Sequence, residues 1–265
     1  TCGFGAVLRL GGGSLRALVV LTGIGLSALA AQRGIVGIVR VPIVDDLAVS
    51  FTASGSQSMG DIVSTLLGMK LQGVVAIVLA LAGLIWIFKS ASYRRQWSKI
   101  GTGVVIGSVI AFGWWATTFL AGRSFDPIQI EAGSFVVPVG DTIMQLITYT
   151  GTLPDYGVGL IAGTLVGAVV AAMWKRDIRW EACDDARELG RHLLGGTLMG
   201  VGGVFSMGCT VGQGITGFST LAISAPIVMV SMALGARVGL AWLVEGNVLA
   251  AFQRNQGSAH HSAAE

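Results

Sequence analysis

The sequence predicts an all-α polytopic membrane protein, built from inverted repeats whose broken, re-entrant helices meet at the membrane midplane. The chain has 265 residues, of which 53% are hydrophobic and only 12% are charged, and this composition excludes a water-soluble surface. Its mean hydropathy is +0.74. Its 40 glycines lie inside apolar runs of Leu, Val, Ile and Ala, a pattern typical of closely packed membrane helices.

A membrane-spanning helix needs about 20 mostly apolar residues. Five runs meet or nearly meet that length: residues 15–31, 74–88, 100–122, 156–174 and 219–236. Two further runs, 189–208 and 238–252, are interrupted by glycine or charge, so we expect them to be short, broken or re-entrant. Two amphipathic pieces, 60–69 and 140–149, each begin with Gly-Asp, which weakly indicates an internal repeat.

The distribution of basic residues predicts the orientation of the chain. Lys and Arg collect in residues 89–99 and 175–191, whereas acidic residues dominate 122–155. By the positive-inside rule the first two loops are cytoplasmic and the third lies outside, in a multi-pass protein of the inner membrane. Because orientation explains the basic clusters, the net charge of +3 does not predict a nucleic-acid partner; membrane lipid is the expected surrounding.

The strongest indication of a functional site is the glycine-rich stretch 195–217, in which nine of the 23 residues are glycine. We expect one half-helix to end near residue 207, a break over 208–217, and a second half-helix from 219. In a bilayer, non-helical backbone is tolerated only where it is buried in protein or lines a cavity, and free N–H groups at a helix start favour an anion. The alternative is a packing seam of Gly196 and Gly200, with Cys209 as a small buried hydrophobe.

The start of the chain repeats this motif. Cys2-Gly3-Phe4-Gly5 has the Cys-x-x-Gly spacing of Cys209 to Gly212, and each copy is followed by a Ser, Ser14 or Ser219, that is expected to open a helix. Two such copies predict two broken helices facing each other, as in many transporters. The glycines expected to take non-helical backbone and to line the passage with N–H groups are Gly3, Gly5, Gly208 and Gly212.

These glycine-cysteine segments, together with Phe125-Asp126-Pro127, Val139-Gly140-Asp141 and Arg179-Trp180-Glu181, resemble the YeeE/YedE family of sulfur-compound transporters, whose characterised members import thiosulfate. The resemblance implies inverted repeats that form an hourglass with cysteines at its constriction. By position, Cys2 and Cys209 would be two of those cysteines. The chain opens on Thr1 without an initiator Met, and we expect an N-terminal part, which in the family carries a further cysteine, to be missing.

The repeats are expected to divide the chain into a first half, residues 1–122, and a second half, 123–252, with a disordered polar tail at 253–265. The resemblance also implies a small sulfur-carrier protein of the TusA type as a partner. No metal, cofactor or catalytic residue is predicted. Cys183, in an acidic loop, is expected to have no role in transport.

The expected substrate is thiosulfate or a related small sulfur anion. Its terminal sulfur is soft and its oxygens accept hydrogen bonds, so thiol S–H and backbone N–H groups can pass it along without holding it. The predicted substrate-binding and translocation residues are Cys2, Cys209, Gly3, Gly5, Gly208, Gly212, Gln213 and Gly214. Gln213 and Thr216 either bind an oxyanion or satisfy the broken backbone.

Two other functions fit the composition. The first is a membrane-embedded thiol enzyme of sulfur or selenium metabolism that uses Cys209 as its nucleophile. Such an enzyme needs a general base or a second thiol close by, and residues 195–219 contain no His, Asp or Glu, so the prediction is not an enzyme. The second is a passive structural subunit, which has no need of two cysteine-bearing breaks.

Overall fold

The computed structural model describes residues 2–46, 58–67, 72–123, 129–148, 155–182 and 185–246. The described part of the chain is helical, and its only extended pairings are two isolated bridges. The helices, in chain order, are α1 Gly3–Gly11, α2 Leu15–Arg33, α3 Ile35–Arg40, α4 Met59–Leu67, α5 Gln72–Phe88, α6 Ala91–Arg94, α7 Trp97–Ala121, α8 Val137–Ile147, α9 Tyr156–Lys175, α10 Ala186–Phe205 and α11 Ser224–Glu245. Two π-helical stretches, Val41–Asp45 and Gly212–Gly217, complete the set.

Four of these helices are long and apolar enough to cross a membrane: α2, α7, α9 and α11. α2, α7 and α9 each coincide within three residues with a run that the sequence predicts as a span, whereas α11 begins five residues later and ends nine residues later than the predicted run 219–236. The fifth predicted span forms α5, whose 17 residues make a shorter apolar helix. These helices confirm the class predicted from composition, a helical membrane protein.

The final apolar run differs from the prediction. Residues 238–245 continue α11, where we expected a separate, broken stretch from 238 to 252, and 247–252 lie outside the described residues. Helix-forming Leu and Ala surround Gly239, and nothing lies near enough to this glycine to require a break there. α11 ends at Gly246, which has a left-handed φ of 68° and donates its N–H to the carbonyl of Trp242.

The amphipathic piece around Gly140 also begins earlier than predicted. Pro138 lies in the first turn of α8, where its missing N–H costs no helical hydrogen bond, so the helix begins at Val137. Gly140 is therefore a residue of the first helical turn and not a helix start. It packs against α2, close to the carbonyl oxygen of Gly25.

Helix α2 is the packing centre of the protein. Half of the apolar stretch of α2 is buried inside the protein, whereas the buried shares of the corresponding stretches of α7, α9 and α11 are 17%, 11% and 0%. Its most extensive contact is with α10, where Gly196 and Gly200 lie directly against the backbone of α2. A Cβ at Gly200 would collide with the carbonyl oxygen of Ile24 and with Ser27, so glycine at this position sets the separation of the two helices.

The apolar core joins α1, α2 and the segment that leads into α8. Its members include Ala6 and Val7 of α1, Ile24 of α2, and Val136 and Val139 around the start of α8. Helix α1 also packs against α9, since Gly11 lies against Ala168. This core fixes where the N-terminus of α1 lies relative to α8.

Candidate functional site

The thiol of Cys2 caps the N-terminus of α1. Cys2 has extended backbone, and its Sγ accepts the N–H of Gly5 at 3.4 Å, while its carbonyl oxygen accepts the N–H of Ala6 at 2.9 Å. Ser, Thr, Asp and Asn usually occupy this capping position. The capping sulfur accepts through a lone pair, so the S–H of Cys2 can still donate to another group.

The second Cys-x-x-Gly adopts the same local structure. The Sγ of Cys209 accepts the N–H of Gly212 at 3.3 Å, and its carbonyl oxygen accepts the N–H of Gln213 at 2.7 Å. Helical backbone follows over residues 210–219, with its middle part in the π form. The side chain of Cys209 is buried at 6% exposure and belongs to the same apolar cluster as α1. The repeat seen in the sequence is therefore a repeat of hydrogen-bonding geometry.

A break follows α10 as predicted, but it is shorter than the expected 208–217, because residues 210–219 are already helical. The helix ends at Phe205, Met207 and Gly208 take positive φ values of 54° and 158°, and the chain resumes helical backbone after Cys209. Only glycine adopts the backbone of Gly208 without strain. The non-helical conformation expected of Gly208 is confirmed, because here the chain must turn between two helices.

Three other glycines do not have the expected backbone. Gly3 and Gly5 are α-helical residues of α1, and Gly212 is the first residue of the π-helical stretch. The expectation of non-helical backbone was wrong at these positions, because a capping cysteine starts a helix on the next residue. The N–H groups of Gly5 and Gly212 are taken by the cysteine caps, whereas that of Gly3, at the first position of α1, has no acceptor within its helix.

A short segment, residues 131–136, lies between the two cysteine motifs. On one side Gly3 is so close to Phe135 that a Cβ there would lie 2.6 Å from the Phe135 carbonyl oxygen, and the rings of Phe4 and Phe135 pack edge to face with centroids 4.9 Å apart. On the other side the hydroxyl of Thr216 donates to the carbonyl of Gly133 at 2.9 Å. Both cysteine helices thus contact residues 133–135.

Three N-termini of short helices therefore lie around this segment. Cys2 caps the first, Cys209 caps the second, and α8 begins immediately after Val136. Each helix N-terminus carries a positive partial charge on its free N–H groups. The contribution of residues 131–136 was not predicted from the sequence, whose local signal there is Pro138, a residue that marks a helix start.

Two polar side chains of the Cys209 helix serve the backbone. The amide nitrogen of Gln213 donates to the carbonyls of Ser206 and Met207 at 2.9 and 3.2 Å, which braces the break, and Gln213 is 8% exposed. Thr216, 9% exposed, donates to Gly133. These bonds fit the backbone-satisfying alternative for both residues, and substrate binding by Gln213 stays a prediction.

The remaining predicted positions have other surroundings. Gly214 faces Met229 of α11. Ser219 does not open α11, which begins at Ser224; its hydroxyl instead donates to the carbonyl of Thr216 and accepts the indole N–H of Trp114. Ser14 does precede α2 as predicted. Cys183 lies outside the described residues.

Glu131, the first residue of segment 131–136, has a shifted pKa. The pKa of its carboxyl group is raised to about 7, mainly by burial and also by the neighbouring Asp155 and Asp141, against a hydrogen bond from the Gly157 N–H that lowers it. Within the described part of the chain, no three His, Cys, Asp or Glu side chains are placed to hold a metal ion.

Comparison with known proteins identifies the family. A family model described as sulphur transport matches residues 1–238. The chain belongs to this sulphur transport family. The cysteine caps, the break after α10 and the segment between them all lie within the matched range, so the family assignment covers the whole candidate site.

Two relatives within this sulphur transport family are described as the thiosulfate transporter TsuA. The Escherichia coli protein is 31% identical over 152 residues, which is 57% of this chain and 41% of that protein. The Spirochaeta thermophila protein is 27% identical over 252 residues, which is 92% of this chain and 72% of that protein. The matched region thus spans less than half the length of the first relative.

Proposed function

We propose that the chain belongs to a multi-pass inner-membrane transporter that imports thiosulfate or a related small sulfur anion. One observation carries the proposal: Cys2 and Cys209 cap their helices with the same Sγ bond, and both helices contact residues 133–135. The two relatives are both described as thiosulfate transporters, which supports a small sulfur anion as the substrate.

The proposed constriction follows from this arrangement. Thiosulfate carries two negative charges, and the positive ends of three short helices offset them without a fixed cation. The S–H groups of Cys2 and Cys209 can each donate a weak hydrogen bond, so the anion passes between them. Gly3, Gly5, Gly208, Gly212 and Gly214 have no side chain, so the anion can approach the backbone and the two capping thiols closely.

The proposed architecture is a pair of inverted repeats, residues 1–122 and 123–252, whose cysteine helices enter the membrane from opposite sides. The equal capping geometry at Cys2 and Cys209 supports it. The tail, 253–265, lies outside the described residues. A TusA-type sulfur carrier on the cytoplasmic side is the proposed acceptor of the imported sulfur.

An enzyme that uses Cys209 as a nucleophile has less support. The sulfur of Cys209 bonds to a backbone N–H, and residues 195–219 supply no general base. The family is described by transport.

The test is uptake of radiolabelled thiosulfate into cells that lack their own uptake system, with and without the protein. Competition with sulfate, sulfite and selenite defines the preferred anion. We expect protein-dependent uptake that excess unlabelled thiosulfate suppresses and sulfate suppresses less, because sulfate has no soft terminal sulfur. Equal uptake with and without the protein would reject the proposal.

A further inference from the structure

Glu131 is the first residue of the segment between the two cysteine motifs, and its backbone is held in place there. Its carbonyl oxygen accepts the hydroxyl of Thr117 at 3.0 Å, and Thr117 is fully buried on α7. The next residue, Ala132, is also fully buried, and Gly133 receives the hydrogen bond of Thr216. Glu131 is therefore two residues from a contact that holds the Cys209 helix.

The carboxyl group of Glu131 lies at the N-terminus of α9, where it accepts the N–H of Gly157. The charged groups that face it are Asp155 at the start of α9 and Asp141 on α8; Tyr156 of α9 is also a neighbour. The basic group in this cluster, Arg33 of α2, lies 3.6 Å from Asp141 and bonds to that carboxylate. Glu131 thus adds a third carboxyl group to an acidic cluster that contains one arginine.

A carboxylate two residues from the contact that holds the Cys209 helix adds negative charge close to the proposed anion path. If Glu131 is ionised, its charge opposes the positive helix ends around residues 133–135 and repels a dianion. If it is protonated, the repulsion disappears, and the carboxyl oxygen still accepts the N–H of Gly157. Protonation can therefore change the charge of the path without disturbing its backbone.

We infer that Glu131 is the protonatable group that sets the charge of the anion path: its neutral form admits the sulfur anion and its ionised form opposes entry. The inference rests on the proposed transport function and adds its regulation by pH. The raised pKa of about 7 places the change within physiological pH. At that pKa, roughly 90% of Glu131 is neutral at pH 6 and roughly 10% at pH 8.

The first experiment compares the pH profile of thiosulfate uptake in the wild type and in Glu131→Gln. Thiosulfate stays a dianion from pH 6 to pH 8, so the protein alone supplies the titration. We expect wild-type uptake to fall up to roughly tenfold over this range. Glu131→Gln, which keeps the acceptor oxygen but cannot ionise, should show high uptake at both pH values. The control is Glu181→Gln, an exposed carboxyl on the loop before α10, which should keep the wild-type profile.

A second measurement reports the titration without transport. The pKa of Glu131 in the folded protein is above its ordinary value of 4.5, so its contribution to stability is fully present below pH 4.5 and is lost as pH rises through about 7. The melting temperature of Glu131→Gln should therefore rise relative to the wild type between pH 5 and pH 8.

The two measurements separate the ways in which the inference can fail. A constant difference in melting temperature across this range would overturn it, because Glu131 would not titrate there. An altered melting profile combined with a wild-type uptake profile in Glu131→Gln would also overturn it, because the charge would not reach the path. If the wild type imports no thiosulfate at either pH while the melting profile titrates, the proposed function fails, and the inferred role fails with it.

Discussion

The hydroxyl of Thr216 donates to the carbonyl oxygen of Gly133 at 2.9 Å, across 83 residues of sequence. It joins the helix that follows Cys209 to the segment that also contacts α1 through Phe135. Thr216 is only 9% exposed, so water cannot readily replace the bond. The bond therefore links one cysteine helix to the segment against which the other cysteine helix packs.

Thr216→Val should loosen this coupling. Valine has a similar shape but no hydroxyl, so the buried carbonyl of Gly133 loses its donor, at a cost of about 1–3 kcal/mol. We expect a lower melting temperature in detergent and weaker thiosulfate uptake. Thr216→Ser keeps the hydroxyl and is the matched control, with nearly wild-type uptake. A valine variant as stable and as active as the serine variant would show that the bond does not position the helix.

Cys209→Ser should abolish thiosulfate uptake while leaving expression intact. Serine caps a helix well and can still accept the N–H of Gly212, so the fold survives, but the soft sulfur is lost. Cys209→Ala removes both the cap and the sulfur and should be equally inactive. The control is Cys183→Ala, which should retain uptake. Normal uptake by Cys209→Ser would leave Cys209 as a packing residue.

The cysteine motifs show which features of the fold and the site can be predicted from the sequence. The spans, the presence of a break after α10 and the repeat of Cys-x-x-Gly could be predicted, because apolar length, glycine density and spacing are local properties, but the length of the break was overestimated. The backbone of Gly3 and Gly5 was mispredicted, since glycine permits non-helical backbone but does not impose it, and the cap formed by Cys2 selects a helix.

The contact between residues 131–136 and the two cysteine helices could not be predicted in the same way. It depends on which helices pack together over long sequence separations, as in the bond between Gly133 and Thr216. The raised pKa of Glu131 was missed for the same reason, because burial and the approach of Asp155 arise only in the folded chain.

Gly200→Ala should destabilise the contact between α2 and α10. A methyl group there would collide with the carbonyl of Ile24 and with Ser27, and such overpacking costs about 1–3 kcal/mol. Gly202→Ala, two residues away on the same helix, meets nothing within 4 Å and should be neutral or slightly stabilising. Melting temperatures of the two purified variants decide the matter, and equal values would show that the seam is loosely packed.

The positive-inside rule predicts that Arg94 faces the cytoplasm and that the segment around Glu131 faces outside. Single cysteines at Arg94 and at the exposed Gln129, in a background with the three native cysteines replaced by serine, can be labelled with a membrane-impermeant maleimide. We expect labelling at position 129 in intact cells and at position 94 only after permeabilisation. Labelling of position 94 in intact cells would reverse the predicted orientation.

Cys2 and Cys209 should be close enough for a short bifunctional thiol reagent to link them. Both cysteine helices contact residues 133–135, although 207 positions separate the two thiols. With a protease site inserted between α5 and α7, the two fragments should remain joined after cleavage, and Cys2→Ser or Cys209→Ser should release them. Thiosulfate should slow the reaction, because an anion between the thiols would shield both. If both thiols react with a monofunctional maleimide but the bifunctional reagent never links them, the two thiols do not face one passage. The shared constriction is then rejected.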